Sequence, residues 1–570
     1  MSTGPETPEP ESPEPESPGP GEPPAQWHRV LTLLSTASLF IGTRDVWAQA
    51  ASHHPPLAAA ISVCYAAILL SGVTALTART RRLLARVDLA VLITAVILVT
   101  AGWLVSHQGG DEAVLTTKAA RELLAGHAVY GQPWPQLFKP GIALTQTVHG
   151  GYDYTYGYPP LAPLLTVPFL WLHHGGAPAT AMATTALVVS TVVVRRLLPL
   201  PWRPALTMLC LGFGFLPMYG RQGYPAILAL ALLMPVVLGW PRIGRGGRLG
   251  APGVARAVCL GAACAAQQLP WFVTPFLLAG VYAVRRGELG AREAGRVVLR
   301  LLGVVVGTWL VINVYFVVHE PRTWAAGIAL PLTQGAVVHG QGLVGISLYL
   351  TDGSDRLDWY SHASVLLAAG LLALYVLFVR RLGPAATVLP WLAFFVATRS
   401  QDGYYLMMTP LWLLSALTAP LPEFARAWQP RVPARRPLAA LLLLPALVST
   451  ALAATGAPPL RMSVASVRLA SARTLSRLTV DVRNTGRAAL VPHFTVSTGQ
   501  GMPEYWTVLA GPARLAGGGA GRYELRPPRG EFTLPPRSAE PRIRLRAFTG
   551  DPQTLSSQDI QAKLPLPRRS

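Results

Sequence analysis

Nineteen consecutive residues, Val87–Val105 (VDLAVLITAVILVTAGWLV), carry a single charge, at Asp88. Crossing a bilayer takes about 20 apolar residues of helix, so this run is long enough to span one, and runs of the same kind recur as far as Leu452. The whole chain shares the bias: 51% of its residues are hydrophobic and 13% charged, with a mean hydropathy of +0.37. Soluble domains are about 25% charged. The deficit is what a lipid-facing surface requires, because a charge at the bilayer centre costs about 2.5–3.5 kcal/mol. These features predict a polytopic α-helical membrane protein.

Thirteen segments are expected to span: 30–44, 56–77, 87–106, 178–194, 205–219, 224–240, 254–268, 269–284, 298–318, 362–379, 383–398, 404–420 and 437–454. Arginine position orders them. Clusters at Arg79–Arg86, Arg195–Arg203, Arg242–Arg248, Arg285–Arg296, Arg380–Arg381 and Arg426–Arg436 each follow an even-numbered segment, so all fall on one side, the cytoplasmic one. The N-terminus is then inside and the C-terminal region outside the cell membrane. Counting 160–173 (PLAPLLTVPFLWLH) as a span would put Arg195 and Arg196 outside; this short run is expected to be a re-entrant or interfacial helix on the outer side. The net charge of +21 is assigned to the short basic loops, and no nucleic-acid partner is expected.

Residues 1–26 repeat Glu, Ser and Pro and cannot build a core, so they are expected to form a disordered cytoplasmic tail. The apolar run that follows lacks the short basic leader of a signal peptide. Cys64, Cys210, Cys259 and Cys264 lie in apolar runs and read as small buried hydrophobes. Residues 27–455 form the membrane region, and the pattern changes after it. Leu478, Val480 and Val482 alternate with polar residues, and strands are also expected at 462–469, 489–497, 505–510, 521–526 and 541–548. Such spacing with turn signals between indicates an extracytoplasmic β-sandwich over 456–570, with Phe494, Tyr505, Trp506 and Tyr523 expected mainly in its core.

Three outer loops are long enough to carry function: 107–158, 319–361 and, more modestly, 399–404. The first contains DEAVLTTKAARELLAG, an amphipathic helix expected over 113–125 and closed by Gly126. Asp111 and Glu112 open it. Local sequence fits an N-cap and a general base about equally. Asp153 between Tyr152 and Tyr154, and Ser400-Gln401-Asp402 before Tyr404-Tyr405, are weaker polar–aromatic constellations. The pairs His53-His54 and His173-His174 lack the spacing that puts two metal ligands on one helix face, and there is no P-loop, no GxGxxG after a strand and no zinc pattern.

An acidic residue just outside an early span, then a helix, Leu-Leu-Ala-Gly and Tyr130, then Tyr158-Pro159-Pro160-Leu161 opening an apolar helix, resembles GT-C glycosyltransferases. More narrowly it resembles the polyprenol-phosphate-mannose-dependent mannosyltransferases. Gly220-Arg221-Gln222-Gly223 is similar to that branch's Gly-Gln-x-Asn turn, with Gly223-Tyr224 where an Asn is expected. Gly253-Val254 through Arg285-Arg286 resembles its paired short helices, although Gln267-Gln268-Leu269-Pro270 stands where Lys-Pro is common. Gly345-Ile346-Ser347-Leu348 resembles its Gly/Gln-Ser-Leu element. The likeness covers about 87–420.

The resemblance implies an inverting transferase that moves mannose, or another hexose or pentose, from a polyprenyl-phosphate donor to an extracytoplasmic glycolipid, polysaccharide or protein acceptor. Asp111 is the expected base, with Glu112 second. Lys139, His149, Tyr158, Arg221, Gln222, Gln268, His339 and Arg399 are the expected substrate-binding residues. The resemblance implies no definite cofactor, and a divalent cation held with help from Asp111 stays open. The alternatives are a lipid or solute transporter, which predicts charged residues near the midplane of the spans, and a β-domain merely anchored by the helices.

Overall fold

The computed structural model describes residues 25–107, 109–138, 145–172, 178–333, 335, 337–418, 422–471, 474–498, 504–534 and 543–560. Helices dominate up to Ala454 and antiparallel strands follow. Six helices are long and apolar enough to cross a membrane: Pro55–Thr77, Arg81–Val105, Pro178–Leu197, Ala291–His319, Asp358–Leu377 and Arg435–Ala454. Large apolar side chains on them face outward, with Val63 71%, Leu70 68% and Val311 74% exposed. A belt of that kind has no protein to cover it and is the surface lipid covers. The chain is a multi-pass membrane protein.

The other expected spans divide into two kinds. Ala25–His53, Pro225–Val237, Gly250–Ala266 and Leu269–Leu289 are continuous helices outside those six. The runs 205–219, 383–398 and 404–420 are broken. Gly383-Pro384 opens a 3-10 turn that ends at Thr387, Pro390 stands just before Trp391–Val396, and this helix, Asp402–Leu406 and Thr409–Ala416 are each of one or two turns. Proline removes an amide donor and clashes with the preceding turn, so an apolar run holding several cannot stay one helix. Residues 160–173, expected as a short outer helix, contain the 12-residue helix Leu161–Leu172. At 1.5 Å per residue it is about 18 Å long and too short to cross.

The chain divides into two compact units: residues 1–101 with 192–214, and residues 102–191 with 215–570. In the first, a buried polar staple joins Ala25–His53 to Arg81–Val105. His28 Nε2 lies 2.7 Å from Asp88 Oδ2, and the Thr32 hydroxyl donates to Asp88 Oδ1 at 2.7 Å. A Cβ on Gly42 would meet the Gly212 carbonyl oxygen at 2.1 Å, so this helix packs backbone to backbone on the 208–214 turn.

In the second unit the basic loops meet at one end. Arg245 pairs with Glu423, Arg285 pairs with Glu288 and donates to the Pro241 carbonyl at 2.8 Å, and Arg380 donates to the Ala427 carbonyl at 2.9 Å. The Arg286 guanidinium lies 3.8 Å from the Trp428 ring centroid. The helix Leu269–Leu289 places its first residues about 25 Å from this cluster, by helical rise.

The strands are β1 (His339–Gly340), β2 (Gly353–Ser354), β3 (Arg399–Ser400), β4 (Leu460–Ser471), β5 (Thr474–Asn484), β6 (His493–Ser497), β7 (Thr507–Ala510), β8 (Ala520–Arg526), β9 (Phe532–Thr533), β10 (Arg544–Thr549) and β11 (Thr554–Asp559). One antiparallel sheet has the order β4-β5-β8-β7, with β9 on β5; the other is β2-β11-β10-β6. Leu478, Val480 and Val482 from the first share one hydrophobic cluster with Phe494, Val496, Leu545 and Ala547 from the second. Phe494, Trp506 and Tyr523 are in this core as expected, whereas Tyr505 leaves it and donates its hydroxyl to the Thr147 carbonyl at 2.8 Å. Strands β2, β9 and β11 are absent from the sequence expectation. β2 comes from the helical region and forms the edge of the second sheet, Ser354 opposite Leu555 and Gly353 opposite Ser556.

Candidate functional site

The loop after Arg81–Val105 enters the helix Asp111–Leu124 through Gly110, which is the capping residue and supplies no side chain. Asp111 is the first residue inside the helix rather than its cap. Its Oδ1 accepts the Glu112 backbone N–H at 2.9 Å. A carboxylate at this end faces unpaired amides and the positive end of the helix dipole. The helix stops at the expected place, with Gly126 at φ +74°.

Glu112 points to a partner 46 residues away: the Tyr158 hydroxyl donates to Glu112 Oε1 at 2.6 Å. Tyr158 is held in turn by Tyr130, whose hydroxyl donates to the Tyr158 carbonyl at 2.8 Å. Glu320, unmarked in the sequence reading, accepts the Val129 and Tyr130 N–H groups at 3.3 and 3.2 Å. The motif pieces around Tyr130 and Tyr158 therefore converge on the acidic pair.

Both carboxylates keep some accessible surface but are enclosed by protein, and burial raises both pKa values. Glu112 is pushed up to about 8 by desolvation, then by the charge of Asp111, against opposing effects from Tyr158 and Arg399. Asp111 is raised by desolvation, with the Glu112 N–H, Arg399 and its own N–H pulling it back, while Asp153 adds to the rise. Two nearby carboxyl groups in a dry site resist a second negative charge. Backbone donors oppose the rise at Asp111, and at neutral pH Glu112 is the member of the pair that holds a proton.

The turn Gly220–Gly223 packs against the start of this helix. The Gly110 N–H donates to the Gln222 carbonyl at 3.1 Å. Gly223 has φ +74°, and a Cβ there would meet the Ala113 Cβ at 2.5 Å. The turn thus meets the site through its backbone. Arg221 ends the short helix Phe215–Arg221, and burial lowers its pKa.

The fractured apolar runs complete the site. Arg399 acts electrostatically on both carboxylates and donates from Nη2 to the Thr145 hydroxyl at 3.5 Å. His339 pairs with Arg399 in the parallel β1–β3 ladder. Glu112, Tyr219, Tyr224, Ala226, Gln267, Gln401, Gly403, Tyr404 and Met407 line a cavity with about 40 Å³ of room for water. That admits water but nothing the size of a sugar ring.

Other expected contacts go elsewhere. Gln268 donates to the Gly157 and Ile328 carbonyls at 3.0 and 2.8 Å, tying a loop to the helix Pro321–Thr333, while neighbouring Gln267 lines the cavity. His149 lies against Gly550 and acts on His493, on the β-rich side. The Gly345–Leu348 element starts a π turn whose Leu348 carbonyl accepts Arg544 and Arg546 at 3.0 and 3.2 Å. Lys139 lies outside the described residues, as do the side chain of Asp402 and His173-His174. Among the described residues no group of three or more His, Cys, Asp or Glu is placed to hold a metal ion.

Comparison with protein-family models, curated proteins and solved structures finds no match to this chain.

Proposed function

We propose that this protein is a membrane glycosyltransferase of GT-C type, transferring a sugar from a polyprenyl-phosphate donor to an acceptor hydroxyl on the outer side of the membrane. The observation that carries the reading is the enclosed carboxyl pair at a helix start, Asp111 beside a Glu112 held by Tyr158, with Arg399 acting on both. The meeting of the basic loops about 25 Å along Leu269–Leu289 from Gln268 supports an outer placement. The thirteen spans and the β-sandwich belong to this reading.

In the proposed step the acceptor oxygen attacks the anomeric carbon as the bond from that carbon to the phosphate oxygen breaks. Asp111 takes the acceptor proton, and polyprenyl phosphate leaves with the bonding electrons. Arg399, whose charge acts on both carboxylates, faces the developing phosphate charge, where a fixed cation in a water-poor site is most effective. Glu112 and Tyr158 orient the acceptor side. Removing a positioned base typically costs 10²–10⁴-fold. Purified protein in detergent, supplied with a radiolabelled polyprenyl-phosphate sugar and envelope glycolipid, should lose transfer by about that factor on Asp111→Asn. Near wild-type turnover by that variant would remove Asp111 as the base.

A further inference from the structure

The segment 457–570 carries 17 Lys and Arg against 7 Asp and Glu, close to half of the chain's net charge of +21. The positive-inside rule explains basic loops on the cytoplasmic side and says little about long translocated domains. On the proposed orientation, the charge in this segment calls for a different cause.

Part of it is gathered in one place. The outward face of β4-β5-β8 holds a groove of about 500 Å³ lined by Arg461, Ser463, Asp481, Arg483, Ala520 and Arg522, among others. The register sets Arg461 directly opposite Arg483 and Arg483 opposite Ala520. Like charges facing each other across a ladder destabilise it. Nothing offsets this locally: among the described residues neither arginine has an ion pair, whereas Arg522 is taken by Asp481 through bonds of 2.7 and 3.1 Å. Arg477 and Glu524 form a further pair on the same strands. The small Ala520, opposite Arg483, leaves the floor open. The groove offers two unneutralised guanidinium groups beside a carboxylate and the Ser463 hydroxyl, and no aromatic ring lines it.

We propose that this groove binds an acidic glycan, a strand whose sugars carry carboxylate groups. Guanidinium groups recognise carboxylates through paired N–H donors. Asp481 and Ser463 accept and donate hydrogen bonds to sugar hydroxyls, which a bare phosphate headgroup does not offer. A concave trough fits a strand better than the flat plane of a bilayer. The groove is separate from the acidic pair, so glycan binding is measurable without transfer; placing the glycan as acceptor rests on the transferase reading.

The test uses the full chain in nanodiscs of zwitterionic lipid, with galacturonate oligomers, neutral dextran oligomers and vesicles containing phosphatidylglycerol as probes. Expected is salt-sensitive binding of the galacturonate oligomers alone, weakened ~10-fold or more in Arg461→Gln/Arg483→Gln and retained in Asp111→Asn. The double variant should also unfold at a higher temperature in low salt without ligand, because the facing charges are gone. Unchanged galacturonate binding in the double variant, no galacturonate binding at all, or binding to the anionic vesicles in its place would each overturn the proposal. Loss of transfer in Asp111→Asn has no bearing on the result.

Discussion

Glu112 shows how far one side chain's chemistry depends on its surroundings. In its folded setting it holds a proton up to about pH 8, whereas an ordinary glutamate releases it near 4.5. Between these values the folded state binds more protons than the unfolded chain, so stability falls as pH rises. Its contribution is complete below 4.5 and lost through pH 8. Glu112→Gln mimics the protonated form and should flatten that decline, seen as a smaller loss of thermal midpoint in detergent between about pH 5 and about pH 9. The same variant should keep transfer within ~10-fold at neutral pH, in contrast to Asp111→Asn. Asp111 and Glu112 stand out in the sequence as a pair at a helix start. Their surroundings do not, because Tyr158 and Arg399 are 46 and 287 positions away from Glu112.

Among elements, the helix Asp111–Leu124 is positioned by a turn it does not touch in sequence. Gly223 occupies a left-handed backbone conformation with the Ala113 Cβ filling the space a side chain would need. Gly223→Ala should destabilise the protein by about 1–3 kcal/mol, from the sum of strain and overpacking. Transfer should fall with it, since the Gly110–Gln222 bond that sets the helix start would shift. A thermal midpoint equal to wild type would show that the turn is free to move. The boundaries of this helix, its Gly126 stop and most long spans were legible from periodicity and end signals. The fractured runs were not: hydropathy registers an apolar segment regardless of its prolines, and three of these segments break into pieces. Backbone of this kind is tolerated at membrane depth where it lines a cavity, and Tyr404 and Met407 come from it.

At the scale of the molecule, the β-rich region is built into the second unit and does not hang from a tether. β2 is lent by the helical region, Tyr505 bonds the Thr147 carbonyl, and Arg544 and Arg546 bond the Leu348 carbonyl. Arg546 is 3% exposed, and its guanidinium lies 5.3 Å from the Tyr349 ring centroid. Arg546→Met removes the charged bonds while keeping much of the bulk, and should cost about 1.5–3 kcal/mol. Hydrogen exchange should quicken in 343–357 and in β10–β11 together; faster exchange in only one of them would show that the two regions are not coupled. The loops 107–158 and 319–361, expected to carry function, thus divide their residues between the acidic pair and the β-rich region.

The sequence by itself determined what depends on local pattern: apolar runs long enough for lipid, arginine clusters in alternate connections, an acidic pair opening an amphipathic helix, and alternating strands after Ala453. Each arises from neighbours within a few turns of chain. Only the tertiary structure decided which residues share a site. It joined Glu112 to Tyr158 and Arg399, gave Gln268 to two backbone carbonyls, and turned His149 and the Gly345–Leu348 element toward the β-sheets. It also set Arg461 against Arg483. These are contacts between residues far apart in the chain, and register, burial and close backbone approach decide them once the helices and sheets have packed.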